Sequence, residues 1–534
     1  MSDRKLTALA RQKKQRRWRW IASVVLLVTA ILIVAGTIVV SRAEPIVRRR
    51  VVETLSARFQ STVELKEFHV FLLGGFQISG AGLNIYGDKD ANTHQLGDQP
   101  VISVAEFRFR TGLFDLFRSP MHVDTVYMKG LALNLPPREQ RAQMRNMERR
   151  SEKIKIVVDK FVCDGAELVI NTLKPGKLPL EFDIQSLRMT TIGTNQPLHF
   201  DAMLINPKPV GNIVSSGLFG PWQADSPRDT PVRGNYSFQH ADLSTIKGIA
   251  GMLSSTGEYA GTLNNLVVDG STDTPDFRIE SSGRPVPLHT DFHAIVDATN
   301  GDTYLRPVKA RILDTRLVAS GSVVRLKEPP GHRVVLDVAV AEGKIQDLLK
   351  LAVRTTPPLL TGAAQLKTKF DLLPGTSSLC DRLKLAGSFR VLQAHFTNQK
   401  IQNKIDLLSM RTRGRMALLR KNIIDDVDSD LSGVFNLENG VIHFSELQFA
   451  IPGTRVDLTG NYSLDGKLFD LYGTARLDAR LSQMVTGWKH ILLTPADPFF
   501  SKNGAGTELP VRITGTESEP HFGLDLHHKD RRAE

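Results

Sequence analysis

Hydrophobic residues form three patterns along this chain: one long uncharged run, one helical stripe and many short alternating segments. The uncharged run covers 21–40 and is interrupted only by Ser23, Thr29, Gly36 and Thr37. A helix of that length rises about 30 Å, which matches the hydrocarbon core of a bilayer. The run therefore predicts a transmembrane helix over 21–40.

The residues that flank this run predict its orientation. The segment 1–20 carries eight Lys and Arg residues against Asp3 alone, and Trp18 and Trp20 lie where membrane-interface aromatics are usual. By the positive-inside rule we expect 1–20 in the cytoplasm and the remainder of the chain across the membrane. The alternative is a cleaved secretory signal, but an apolar region of twenty residues is long for one.

The second pattern is a helical stripe over 44–60. Val47, Val51, Leu55 and Phe59 recur every four residues, and Pro45 suits a first helical turn. Two interpretations are compatible: an amphipathic helix that caps a core, or a helix at the outer membrane interface. In the second, the basic residues Arg48, Arg49 and Arg50 would contact lipid phosphates.

The third pattern, alternation with period two, dominates the chain after this helix and predicts a mainly β protein. We expect a β region over 61–136, a charged helix or hinge over 137–153 and a central β region over 154–396. A short helix over 397–411, a C-terminal β region over 412–526 and a charged tail over 527–534 follow. Two further helical interruptions are predicted at 242–253 and 342–353.

The clearest alternation lies near the C-terminus and gives strands that are apolar on one face only. Leu447, Phe449 and Ile451 share one face, and Val456 and Leu458 share the same face of the next strand. A long sheet with one apolar face must cover that face. Either it packs against a second sheet as a sandwich, or its concave face is kept for an apolar ligand.

Charge and motifs exclude several classes of function. The formal net charge is +12, of which the segment before the apolar run supplies +7, so a nucleic-acid partner is not indicated. No nucleotide loop, zinc signature or nucleophile elbow is present, so we expect no enzyme, cofactor or metal site. Asp426, Asp428 and Asp430 open like a calcium loop but lack its glycine and terminal Glu. Cys163 and Cys380 could pair after export, although the sequence favours two separate thiols.

Several segments resemble the AsmA family of envelope proteins. They are the basic segment 1–20, the uncharged run 21–40 and the predicted helix over 44–60, together with the strands around Gly74-Gly75. Two further segments are the stretch 241–263, which begins Ala-Asp-Leu-Ser-Thr-Ile, and the stretch 435–477, which begins Phe-Asn-Leu-Glu-Asn-Gly. The resemblance covers most of the chain, and its motifs are structural rather than catalytic.

This resemblance implies a fold and a function. It implies an inner-membrane protein whose periplasmic body is an elongated, twisted, curled antiparallel β-sheet with a few short amphipathic helices. In such a sheet the apolar interior forms a groove for phospholipid tails, here lined by Val51, Leu55, Phe59, Leu447, Phe449, Ile451, Val456 and Leu458. An outer-membrane or periplasmic protein partner is also implied. The alternative is a tethered, non-enzymatic scaffold for assembly of outer-membrane proteins, built from closed sandwich domains.

Overall fold

A computed structural model describes most of the chain beyond its first 43 residues. The described residues are 44–46, 48–49, 51–53, 55–56, 62–71, 76–86, 100–112, 121–135, 156–170, 180–193, 196–223, 226–246, 248–279, 284–326, 329, 331–352, 356–375, 377, 379–413, 426–464, 468–480, 482, 506–516 and 519–524.

Strands account for most of these residues, and the predicted mainly β character is confirmed. The strands are β1 Val63–Phe71, β2 Phe76–Tyr86, β3 Pro100–Thr111, β4 Met121–Leu135, β5 Ile156–Ile170, β6 Leu180–Ile192, β7 Leu198–Pro207, β8 Val210–Phe219, β9 Pro231–Asp242, β10 Ile249–Ala250, β11 Met252–Thr262, β12 Asn265–Ile279, β13 Val286–Asp297, β14 Asp302–Ile312, β15 Thr315–Leu326, β16 Gly331–Lys344, β17 Leu360–Leu372, β18 Leu383–Phe396, β19 Ser429–Glu438, β20 Val441–Ile451, β21 Thr454–Ser463, β22 Leu468–Leu477, β23 Thr507–Thr516 and β24 Pro520–Leu524.

Four α-helices accompany the strands in the described residues. They are α1, whose described residues are 44–46, 48–49, 51–53 and 55–56, then α2 Ile345–Ala352, α3 Leu379–Arg382 and α4 Gln399–Thr412. Two 3-10 turns, Pro227–Asp229 and Leu243–Thr245, complete the list.

The chain divides into two compact units. Unit 1 comprises residues 1–207 and 213–222, and unit 2 comprises 208–212 and 223–534. In unit 1, β1 to β7 pair in chain order. These pairs are antiparallel except β4 with β5, which is parallel. The core of unit 1 gathers Leu65, Phe68, Val70, Val104 and Phe107, and Val51 and Val52 of α1 pack against it.

Unit 2 is one antiparallel ladder in which each strand pairs with its neighbours in sequence from β11 to β24, while β9 pairs with β11. Register shifts interrupt many of these pairs, among them β13 with β14, β16 with β17 and β20 with β21. Such bulges bend the strands and strengthen their twist, which suits the curled sheet that the sequence predicted.

Two of the three predicted helical interruptions are confirmed and one is wrong. Helix α2 lies within the predicted 342–353, and α4 matches 397–411, with Asn398 as its N-cap. The stretch 242–253 instead forms a 3-10 turn followed by β10 and the start of β11. Asp242 caps that turn, but Gly248 and Gly251 then adopt φ values of +102° and +136°, which a continuing helix does not allow.

Several predicted segments fall outside the described residues. These are the basic segment 1–20, the transmembrane helix 21–40, the charged stretch 137–153 and the tail 527–534, together with the single residues Trp18, Trp20, Arg50 and Phe59. Within the part of the chain that the structure describes, none of the helices has the length and apolar character needed to cross a membrane.

Candidate functional site

The main candidate site is an apolar face that runs across unit 2 from β9 to β23. Following registered Cα partners from strand to strand gives a continuous central row, with one residue from every strand except β10. This central row is Tyr236, Gly257, Gly270, Phe292, Val308, Ala319, Val338, Thr368, Gly387, Phe435, Phe444, Gly460, Leu471 and Ile513. None of these residues is charged.

A second row runs beside the central row, two residues away along each strand except β14 and therefore on the same face. On β14 a bulge between Leu305 and Val308 adds one residue to that spacing. It comprises Gly234, Tyr259, Val268, Ala294, Leu305, Gly321, Leu336, Phe370, Leu385, Leu437, Ile442, Tyr462, Phe469 and Gly515. It is likewise uncharged. We call the side of the sheet to which both rows belong, from β9 to β23, the apolar face.

Side chains on the apolar face are shielded but mostly not enclosed. Ala319, Leu471 and Leu437 are buried, whereas Phe292, Phe370 and most other members are only half-buried, and none is exposed. A close-packed sandwich would bury most of its inner residues completely. The degree of burial fits an apolar surface that the curled sheet partly shelters and that leaves room for a ligand.

The opposite face of the sheet is polar. Most positions between the two rows are exposed and hydrophilic, including Asn235, Glu258, Asp337, Lys369, Asn436, His443, Asn461 and Asp470. Cross-strand pairs tie this face together: His293 Nδ1 lies 2.7 Å from Asp269 Oδ1, and Arg333 donates to both oxygens of Asp371 at 2.9 and 2.6 Å. The pKa of Asp371 is lowered, and the largest cause is the hydrogen bond that Arg333 donates to it. Charge is thus confined to one side of the sheet.

Glycines on the apolar face lie beneath aromatic rings of neighbouring strands. A β-carbon on Gly257 would lie 2.9 Å from Cε1 of Tyr236, and one on Gly433 would lie 2.8 Å from Cε1 of Phe389. These distances are shorter than any carbon contact in a relaxed structure, so the rings need glycine beside them. Flat rings over glycine leave a surface with few protrusions.

The five predicted lining residues near the C-terminus come together on one face. Phe449 is the registered partner of Val456, and Leu447 is the partner of Leu458, while Ile451 lies at the end of β20. Ile451 and Leu458 are buried at 6% exposure each, and the other three are half-buried. Alternation alone predicted this group, because the Pro452-Gly453 turn sets the register.

Helix α2 packs against the ends of β17 and β18. Ile345 and Leu349 pack against a cluster of Leu360, Val391 and Ala394 on β17 and β18. The helix is held there by Asp347, whose Oδ2 accepts a hydrogen bond from the Thr315 hydroxyl at 3.0 Å. Helix α2 thus covers the adjacent ends of β17 and β18.

The predicted lining and interface residues of α1 lie in unit 1. Val51 packs against the unit 1 core, and Leu55 is half-buried. Arg48 donates to the backbone oxygen of Leu65 at 2.6 Å, and Arg49 pairs with Glu53 at 2.8 Å. Arg48 therefore holds α1 to β1, which the sequence did not indicate.

Unit 1 carries an apolar row of its own. Registered partners from β1 to β7 are Val70, Ile78, Phe109, Val126, Phe161, Met189 and Phe200. Cys163 lies two residues from Phe161 on the same face, and it is a buried free thiol. Burial is the main cause that raises its pKa, and the charge of Asp164 adds to it. A thiol in this state is a packing residue rather than a nucleophile.

A polar cluster on β4 and β5 was not found from the sequence. His122, Asp124 and Asp159 offer ligand atoms within 4.8 Å of one another, the one such group among the described residues, and His122 Nε2 lies 2.8 Å from Asp159 Oδ2. The group depends on the parallel pairing of β4 with β5, which no local pattern predicts. All three side chains are at the surface, and the imidazole already has a carboxylate partner. In the stretch that opens like a calcium loop, Asp430 Oδ1 instead accepts a hydrogen bond from the backbone amide of Gln393 at 3.2 Å.

Comparison of the chain with protein-family models, with characterised proteins and with solved structures finds no match. The functional argument therefore depends on the residues themselves.

Proposed function

We propose that this chain is a membrane-anchored periplasmic protein that handles phospholipid, or transfers it between the inner and outer membranes, during envelope biogenesis. The observation that carries the proposal is the apolar face of unit 2. Its two uncharged rows continue across the strands from β9 to β23, and most of their side chains are half-buried. Anchoring and location come from the sequence, through the uncharged run 21–40 and the basic residues before it.

Acyl chains fit this face for a physical reason. Moving a methylene group out of water is worth about 0.8 kcal/mol, so a tail of many methylenes gains substantially from any continuous apolar surface. The central and second rows offer no charge or cation to a phosphate. The head group would therefore stay in water, and the face would select for tails rather than for a particular head group.

The same surface suits movement better than tight storage. Contact between apolar groups is non-directional, and adjacent positions along the central row offer similar chemistry. Glycines under the aromatic rings of Tyr236 and Phe389 add few obstacles. A tail could shift from strand to strand without breaking a hydrogen bond at any step.

The alternative function is a tethered scaffold or assembly factor for outer-membrane proteins. One observation favours it: the unit 1 core of Leu65, Phe68, Val70, Val104 and Phe107 is closed and is covered by α1. A closed core needs no ligand. In the part of unit 2 that the structure describes, most side chains of the two rows are half-buried rather than enclosed, and for this reason we prefer the lipid function.

Photo-crosslinking in cells tests the proposal. A photoreactive residue at Phe435, on the central row, should capture phospholipid, and one at the neighbouring Asn436, exposed on the polar face, should not. The adjacent pair shares its local environment and differs only in the face. Equal capture at both positions, or capture of polypeptide alone at Phe435, would support the scaffold instead.

A further inference from the structure

Helix α4 is turned so that its polar side faces the protein. Its buried residues are Gln402, Asp406, Ser409, Met410 and Thr412. Gln402 donates to the Val427 carbonyl at 2.9 Å, and Asp406 Oδ1 accepts from the Val427 amide at 3.1 Å. The Ser409 hydroxyl donates to the Pro452 carbonyl at 2.7 Å, and the Thr412 hydroxyl oxygen accepts from the Thr454 hydroxyl at 3.0 Å. Four polar side chains thus hold this helix by hydrogen bonds, and Met410 is the one apolar side chain in the buried set.

Ile401, Ile405 and Leu408, whose helical spacing predicts this helix, are therefore not among its buried residues. Ile401 is 42% exposed, and Ile405 and Leu408 on the same flank are half-buried. Leu359, 41% exposed, lies beside the start of the helix, because its carbonyl accepts the Thr397 amide at 3.2 Å. Ile401 and Leu359 are thus two large apolar side chains exposed to solvent near the start of α4.

Cations border this apolar flank. Lys400, Lys404 and Arg411 are exposed and recur at helical spacing, so they lie on the outward side of α4. The helix has one acidic residue, Asp406, and that residue is buried and hydrogen-bonded. The outward surface of the helix is consequently both apolar and positively charged.

We propose that this α4 surface docks on an anionic lipid bilayer. Exposed apolar side chains bordered by Lys and Arg are the pattern of helices that lie in the membrane interface. Lys and Arg side chains are attracted to an anionic surface, and burial of Ile401 and Leu359 adds an apolar contribution. A protein partner is a poorer match, because lysine is depleted in protein interfaces. The inference goes beyond the proposed function, since docking by α4 does not require that the sheet carry lipid.

An environment-sensitive fluorescent amino acid can report docking in the full chain. The chain is held in phosphatidylcholine nanodiscs, so that its uncharged N-terminal run is already in lipid. Vesicles of phosphatidylglycerol and phosphatidylcholine are then added. A probe at Ile401 should shift to shorter wavelength, and one at Asn403, exposed on the other flank of α4, should shift much less. Vesicles of phosphatidylcholine alone should bind at least ten-fold more weakly.

Charge reversal provides the matched control. K400E/K404E/R411E should abolish the shift at position 401. K309E/K367E/K369E, which reverses three exposed lysines on strands of the sheet, should leave it nearly unchanged. The proposal is overturned if both triple variants lose the shift equally or if neutral vesicles act as well as anionic ones. It is also overturned if a photo-crosslinker at Ile401 captures polypeptide rather than lipid in cells.

Discussion

Phe389 lies across Gly433 on the neighbouring strand, so closely that a β-carbon on the glycine would sit 2.8 Å from Cε1 of the ring. The same β-carbon would lie 3.0 Å from the carbonyl oxygen of Glu446. Neither neighbour can yield cheaply, because one is a rigid ring and the other is backbone. The pair shows that an aromatic ring on the apolar face occupies the space that a side chain at the glycine would need, so few side chains protrude there.

Gly433→Ala should therefore destabilise the protein by about 1–3 kcal/mol, the usual cost of overpacking. Phe389→Leu in the same chain should restore part of the loss, since it removes the rigid ring edge from the contact. Amide hydrogen exchange of β18 to β20 measures the effect locally. Gly523→Ala is the control, because nothing lies within 4 Å of its β-carbon position, and it should be silent.

Two neighbours on the apolar face should differ in their sensitivity to truncation. Leu458 is 6% exposed, so Leu458→Ala should cost about 2–5 kcal/mol, as expected for a packed core position. Phe449 is half-buried, and Phe449→Ala should cost less than the roughly 3–5 kcal/mol of an enclosed phenylalanine. Chemical denaturation of the two variants compares them. A larger loss at Phe449 than at Leu458 would indicate a closed sandwich core.

Much of the unit 2 face could be predicted from the sequence, and its limits have physical causes. Alternation placed Phe449 and Val456 on one face, because a short turn fixes the register of adjacent strands. Periodicity also found α4, through the helical spacing of Ile401, Ile405 and Leu408, yet it did not give the side of the helix that is buried. Gln402 donates to the Val427 carbonyl and Asp406 accepts from the Val427 amide, and these bonds decide the orientation instead. Such long-range contacts leave no periodic signal.

Other features depend on contacts that sequence spacing does not reveal. The parallel pairing of β4 with β5 brings His122 beside Asp159, 37 positions away. A helix predicted over 242–253 was wrong, because the positive φ of Gly248 and Gly251 outweighs the apolar spacing. The continuity of the central row emerges only when the register of every strand pair is known.

The Arg333–Asp371 pair should give a small acid-sensitive contribution to stability. Arg333 lowers the pKa of Asp371, so the contribution is fully present above the unfolded pKa of about 3.9 and disappears as the pH falls through the folded pKa. Because the pair is partly solvent-exposed, we expect about 0.5 kcal/mol at neutral pH. Thermal unfolding of Arg333→Gln and of the unaltered chain should differ at pH 7 and converge below about pH 3. Arg306→Gln, an exposed change on β14, should show no such convergence.

The decisive prediction concerns movement along the central row. Phe435→Asp would place a carboxylate in the middle of an uncharged path, where removing the charge from water costs a few kcal/mol. Asn436→Asp introduces the same carboxylate one residue away, on the exposed polar face. Photo-crosslinkers at Val308 and Phe449 report lipid on the two sides of that point, since β14 lies before β19 in the ladder and β20 lies after it.

If lipid travels along the row, Phe435→Asp should reduce capture on one side several-fold and leave the other side unchanged. The side that loses capture would be the downstream one, so the result also gives the direction of transport. Asn436→Asp should change neither. Retained capture on both sides would mean that tails reach the face locally from solution or from a neighbouring membrane. In that case the sheet would bind lipid without conducting it, because a carboxylate in the middle of the row must interrupt a tail that has to pass over it.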